Sequence, residues 1–245
     1  MIRTRLPLLA LLALASCDGG AAAPTPDDPC ATHLAPGPDD QVAIQSALLE
    51  AAVGSVVCLE PGVYRLSDGL SLGVPGVALR APAGRAVLDF SAQAQGAPGL
   101  QLLGDDLDVQ GIEIRNTAGD GVRIVGADNV RLRRVRVTWG EVPPIPGARG
   151  VAVIQASNVA VESARIRGAA GPGIYVESSA GVAIDRTRIE GGPEGIVAQD
   201  SVDVILGRNR LALVPAPAEV GPAEELPPSD GAAAPGAAVD ELAAP

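Results

Sequence analysis

Arg136, Arg165, Arg188 and Arg210 recur at intervals of 29, 23 and 22 residues, and Arg134, Arg186 and Arg208 precede three of them by two positions. A guanidinium is a permanently charged planar fork that fits paired carboxylate or phosphate oxygens, so a stacked row of them is chemistry for holding an acidic polysaccharide or a lipopolysaccharide phosphate. Glu113 stands at the same phase one interval earlier. The competing use is a neutralised surface, in which arginine stems cover apolar area while Glu162, Asp185 and Glu190 balance the heads. Between Gly99 and Val214 there are 13 Arg against 14 acids, which leans toward that second use. Acid–base chemistry has less to draw on. One His, His33, removes most imidazole-based metal and proton-transfer chemistry. Asp120, Glu177 and Glu194 with Arg123 are the groups left for a glycan-cleaving site, and Glu177 with Glu194 is the pair that repeat phase leaves open. Solvated surface acids are the commoner explanation of both. Trp139 and Tyr175 are a candidate sugar-stacking pair, against the commoner role of a lone Trp, which packs its Pro-rich loop onto the adjoining chain.

Composition narrows the setting. The chain has 245 residues, 47% hydrophobic and 2% aromatic, with a net charge of −11 and no Lys. That is one domain with a core. The charge argues against nucleic acid as a partner, and four aromatic residues leave neither a stacking platform for single strands nor a girdle for a membrane barrel. No metal or cofactor is expected.

The elements that must position these groups come from a repeat. A glycine followed by alternating apolar residues opens each unit, at Gly69, Gly99, Gly121, Gly150, Gly173 and Gly195. A second alternating pair follows, such as Val130/Leu132 and Val159/Val161, and then a third, such as Val135/Val137 and Ala164/Ile166. Three short strands per unit with no helix between them imply a right-handed, single-stranded parallel β-helix of about six coils, an all-β fold. Alternation turns Leu100, Leu102, Val122, Ile124, Val151, Val153, Ile174, Val176, Ile196 and Ala198 inward on the first strand of each coil. Asp106, Asn129, Asn158, Gly181 and Asp203, each just before a second strand, are residue types that tolerate a left-handed turn. Ahead of the coils, Asp39-Asp40, the stripe Ile44, Ala47, Leu48, Ala51 and Ala52, and Gly54 predict a capping helix over 39–53.

Two resemblances add to this reading. The opening DDQVAIQSALLEAAVGSVVCLEPGVYRL resembles the N-terminal cap of the pectate lyase and polygalacturonase superfamily. The stretches GLQLLGDDLDVQGIEIRNTAGDGVRI and SNVAVESARIRGAAGPGIYVESSAGVAI are similar to a bacterial family of parallel β-helix repeat lipoproteins, over about Asp39 to Leu213. The first likeness implies that a glycan-active member would work in a groove on the first sheet. The second implies fold and compartment and no settled activity.

The chain start agrees with that compartment. Arg3 and Arg5 followed by the apolar run Leu6–Ala15 read as a signal peptide over 1–16, and Leu14-Ala15-Ser16-Cys17 resembles the lipobox of bacterial lipoproteins, which implies lipidation of Cys17. A flexible tether is expected over 17–38, the β-helix domain over 39–214 and a disordered Pro/Ala/acidic tail over 215–245. Outside the cytoplasm the remaining pair, Cys30 and Cys58, reads as a disulfide, with two buried thiols as the alternative. The combined expectation is a lipid-anchored protein of the bacterial cell envelope that binds an acidic polysaccharide or a protein partner at the open C-terminal end of the solenoid. The alternative is a carbohydrate-active enzyme.

Overall fold

The computed structural model describes residues 29–81, 85–94, 96–140 and 143–214. The expected signal peptide, Cys17, the tether up to 28 and the tail from 215 lie outside the described residues. The described chain winds into a parallel β-helix in which each full turn gives one short strand to each of three sheets. The first sheet stacks six strands, from Leu70–Leu72 to Glu194–Gln199; the second stacks eight, from Thr32–Leu34 to Ile205–Leu206; the third stacks seven, from Gly62–Arg65 to Arg210–Ala212.

Register turns sequence repeats into columns. Tyr64, Leu88, Ile114, Val137, Ile166, Ile189 and Leu211 stack inside the third sheet, and Val57, Leu79, Val109, Leu132, Val161, Ile184 and Leu206 inside the second. All but Leu206 and Leu211 join one continuous core. Asp106, Asn129, Asn158, Gly181 and Asp203 all take φ between 52° and 66°, as expected of the turn before each second strand. The glycines that open the repeats have a different cause, namely crowding. A Cβ on Gly150 would lie 2.4 Å from Ile166 Cγ2 and 2.5 Å from the carbonyl oxygen of Gly173, so the corner into the first sheet has no room for one.

There are about eight turns rather than six. The additional turns lie at the N-terminal end, where no Gly-led unit marks them. Thr32–Leu34, inside the expected tether, is a strand paired in parallel with Val56–Leu59, placing His33 beside Cys58. The Cys30–Cys58 disulfide ties this turn down, with Cα atoms 5.7 Å apart. The buried Tyr64 hydroxyl donates to the Leu34 carbonyl at 2.6 Å, and burial, with the Asp40 and Glu60 carboxylates, pushes its pKa up to about 12.

The helix spans Asp40–Glu50 and ends earlier than 53 because Ala51 turns extended, at ψ 135°. It buries Ile44 and Leu48 and covers the edge of the first sheet. Gln45 accepts from the Ser71 N–H through Oε1 at 2.9 Å and donates to the Ser71 carbonyl through Nε2 at 3.0 Å, as a neighbouring strand would. Asp40 accepts from the backbone N–H groups of Gly37 and Arg65 at 2.6 and 2.7 Å, so its burial is fully used.

The other end differs. Ile196 is half-buried and Ala198 exposed, and Ile205, Leu206, Leu211 and Leu213 are exposed. Repeat phase turns Leu206 and Leu211 inward, stacked on the buried Ile184 and Ile189, and Ile205 outward, but among the described residues no further turn covers this end.

Candidate functional site

The third sheet carries the arginines. Glu113, Arg136, Arg165, Arg188 and Arg210 are direct register partners in successive strands, an unbroken outward column. Beside it the turn from second to third sheet carries Arg134, Ser163, Arg186 and Arg208. Together the seven arginines wall a groove of about 540 Å³ floored by Ser163, Ala164 and Thr187. Arg134 and Arg186 have φ of 53° and 51°, in the left-handed region, where the same turn one unit before Arg134 uses Gly111. Holding a non-glycine residue there costs roughly 1 kcal/mol or more.

The acids expected to neutralise the groove do so in part. Glu162 Oε2 and Asp185 Oδ2 both reach Arg186, at 3.4 and 2.5 Å, and Glu190 reaches Arg188. Arg134, Arg136, Arg165, Arg208 and Arg210 make no ion pair with a carboxylate among the described residues. Like charges directly opposite in a sheet destabilise it, so this column, with an ion pair only at Arg188 among the described residues, is a positive stripe. The preceding strands contrast with it. Glu113 is 5% exposed; its Oε1 accepts from Arg115 Nη2 at 2.8 Å and its Oε2 lies 3.2 Å from Arg85 Nη1. Asp89 is the register partner of Arg115, so that stretch is balanced.

On the second sheet Asp108 sits between two arginines. Arg133 donates to it twice, at 3.1 and 2.6 Å, and Arg80 once, at 2.8 Å. Burial pushes the Asp108 carboxyl up, but these hydrogen bonds outweigh it and hold the pKa below 3.8. The arrangement fastens three adjacent turns together.

The first sheet, where a glycan groove was expected, is occupied by its own contacts. Asp120, 3% exposed, accepts from Arg123 Nε and Nη2 at 2.9 and 2.7 Å and from the Arg149 N–H at 2.8 Å. The Arg149 guanidinium lies 4.1 Å from the centre of the Tyr175 ring, whose hydroxyl donates to Gln199 at 2.6 Å. Tyr175 and Trp139 are each 8% exposed, and Trp139 belongs to the core, with Nε1 donating to the Thr117 carbonyl at 2.7 Å. Neither ring offers a face for a sugar, which corrects the stacking pair. Arg149 was missed by sequence reasoning; its signal was that Asp120 and Arg149 both immediately precede a repeat-opening glycine and therefore stack.

Glu177 and Glu194 are far apart. Glu194 is the register partner of Pro172, and Glu177 ends the same strand five residues later. At about 3.3 Å per residue the two carboxyl-bearing positions are separated by roughly 17 Å, against about 5 to 9.5 Å for a glycosidase pair. The pair left open by repeat phase is thereby closed, because the two acids occupy opposite ends of their strands.

A family model described as right handed beta helix region matches residues 90–212, half of the chain. No curated protein sequence matches. Among solved structures the chain is similar to a rhamnogalacturonan lyase, with TM-score 0.54 and 13% identity over 77% of this chain and 64% of that one. It is similar to pectate lyase Pel9A, with TM-score 0.51 and 16% identity over 70% of this chain and 53% of that one. An alginate lyase from Paenibacillus sp. str. FPU-7 aligns with TM-score 0.50 and 17% identity over 73% and 75%. The chain thus spans about half of the pectate lyase and under two thirds of the rhamnogalacturonan lyase, and at these identities the likeness is one of fold. Columns of parallel strands, three to a turn, and the match over half its length agree: this chain belongs to the right-handed β-helix family.

Proposed function

We propose that the protein binds an acidic polysaccharide in the arginine groove of the third sheet. One observation carries this reading: the guanidinium groups of five of the seven groove arginines make no ion pair with a carboxylate among the described residues although three acids border them. Guanidinium groups held at strand spacing gain most from a polymer whose charges also recur, since each carboxylate relieves repulsion between neighbours as well as forming charge-assisted hydrogen bonds. The test is affinity for polygalacturonate of the whole chain and of Arg136→Glu/Arg165→Glu/Arg188→Glu. Binding is expected in the first and a loss of at least a hundredfold in the second; equal affinity overturns the reading.

A second reading, a carbohydrate-active enzyme, is favoured by the fold neighbours, three of which are named as lyases. It is tested by turnover of polygalacturonate and alginate, with Glu177→Gln as the control; turnover abolished by that change establishes the enzyme. Anchoring at Cys17 in a bacterial envelope is part of the proposal, and fatty-acid labelling that persists in Cys17→Ser refutes it. A protein partner at the C-terminal end of the solenoid is the remaining expectation, and a chain that captures none there leaves the glycan as the sole ligand.

A further inference from the structure

We infer that the acidic segment 219–230 of this same chain docks in the arginine groove. The contact goes beyond the polysaccharide reading and does not depend on it; where a glycan binds, the segment competes with it for the same cations. Charge is the first ground. Beyond Val214 the sequence carries six acids and no basic residue, so more than half of the net charge of −11 follows the last described residue. The groove is the opposite: the guanidinium groups of Arg134, Arg136, Arg165, Arg208 and Arg210 make no ion pair with a carboxylate among the described residues. Opposite charges on one chain meet at the high effective concentration that a covalent link sets.

Reach is the second ground. Arg210–Ala212 is the last strand of the third sheet, and Val214 donates its N–H to the Gly192 carbonyl at 3.0 Å, so the acidic segment follows directly from the layer that bears Arg208 and Arg210. Val214 is four residues past Arg210, at most about 13 Å away, and Glu219, five residues further, has a reach of about 16 Å, enough to double back to Arg208 and Arg210. Spacing is the third. The turns of Arg136, Arg165, Arg188 and Arg210 are successive layers, and the Arg188 layer is already neutralised, because Glu162 and Asp185 hold Arg186 and Glu190 holds Arg188. The remaining cations therefore form two groups, Arg208 with Arg210 and Arg134 with Arg136 and Arg165, roughly 10 to 14 Å apart at about 4.8 Å per layer. The acids are grouped likewise. Glu219 stands alone, and Glu224 and Glu225 follow at up to about 16 to 20 Å, with the uncharged Val220, Gly221, Pro222 and Ala223 to cross the neutralised layer. Pro215, Pro217, Pro222, Pro227 and Pro228 fix φ along the segment and lower the entropy that docking removes.

A nitroxide on the whole chain carrying Cys17→Ser/Ala223→Cys, with Cys30–Cys58 left as a disulfide, tests this through the amide signals of Arg136 and Arg123, which lie in the same turn on the third and first sheets. The Arg136 and Arg165 signals are expected to lose at least about half their intensity while Arg123 keeps its own, and either Glu219→Gln/Glu224→Gln/Glu225→Gln or about 0.5 M NaCl to restore them. Equal loss at Arg123 and Arg136, or loss unchanged in the triple variant, overturns the inference. Loss that arises only when spin-labelled and isotope-labelled copies are mixed assigns the segment to a neighbouring copy and overturns the contact within one chain. Polygalacturonate affinity is expected to be about tenfold higher in the triple variant, as for a segment that leaves about one groove in ten open; equal, measurable affinity overturns the competition. No polygalacturonate binding by either protein overturns the polysaccharide reading alone, and the signal loss at Arg136 then supports the docked segment without it.

Discussion

Replacing Gly173 by Ala places a methyl group 2.3 Å from Ile189 Cγ2 and 3.0 Å from both Ile189 Cδ1 and the Gly195 carbonyl oxygen. Ile189 is buried in the core and cannot swing clear, so the substitution overpacks the corner and costs about 3 kcal/mol, the upper part of the usual range. Ile189→Ala alone opens a cavity and costs about 3 kcal/mol. In the double variant the new methyl occupies part of that cavity, and the carbonyl contact at 3.0 Å needs a shift of a few tenths of an ångström. Gly173→Ala/Ile189→Ala is therefore expected to lose about 3 kcal/mol rather than about 6, a coupling of roughly 3 kcal/mol between neighbouring sites. The equivalent pair one turn earlier behaves differently. At Gly150 the Gly173 carbonyl is only 2.5 Å from the new methyl, and Ile166→Ala does nothing to remove it. Rescue is expected at Gly173 and not at Gly150, measured by urea unfolding followed by circular dichroism. Additive losses at Gly173, or equal rescue at both, would refute steric crowding as the reason glycine opens each repeat.

Two further predictions concern what holds the turns together. Cys30→Ser/Cys58→Ser opens a 29-residue loop, which on the chain-entropy account costs about 3.6 kcal/mol; hydrogen exchange should rise first at Thr32–Leu34, and uniform loosening of all turns would contradict the placement. Asp108 has a folded-state pKa below 3.8, so the stabilisation it provides is complete above that value and is lost as pH falls through the folded value. Asp108→Asn is expected to cost roughly 2 kcal/mol at neutral pH and progressively less in acid, and a constant difference between the two proteins down to about pH 2 would rule the Arg80–Asp108–Arg133 bridge out as its source.

The parts legible in the sequence were those with a period. Gly-led alternation revealed the strands, residue type revealed the left-handed turns at Asp106, Asn129, Asn158, Gly181 and Asp203, and the column Arg136–Arg165–Arg188–Arg210 emerged with its members in order. Contacts that depend on reach were hidden. Whether Glu162 and Asp185 spread over several arginines or converge on Arg186 depends on side-chain direction, which spacing does not encode. Trp139 was ambiguous for the same reason: its neighbours in sequence suggest an exposed loop, while its indole N–H finds the Thr117 carbonyl one turn away. The first strand escaped because no Gly-led unit marks it and it lies in Pro-rich surroundings.

The contrast between the two ends of the solenoid bears on recognition. The N-terminal turn is fastened by a disulfide, a buried phenol and a helix whose Gln45 completes the sheet edge, whereas the last described turn exposes Ile205, Leu206 and Leu211. In a stack where each layer leans on its neighbour, thermal breathing is expected to start at the layer least secured among the described residues, which bears Arg208 and Arg210. Peeling of the final described layer would take Arg208 and Arg210 out of the groove, so on warming hydrogen exchange is expected to rise at Arg210–Ala212 well before the molecule melts.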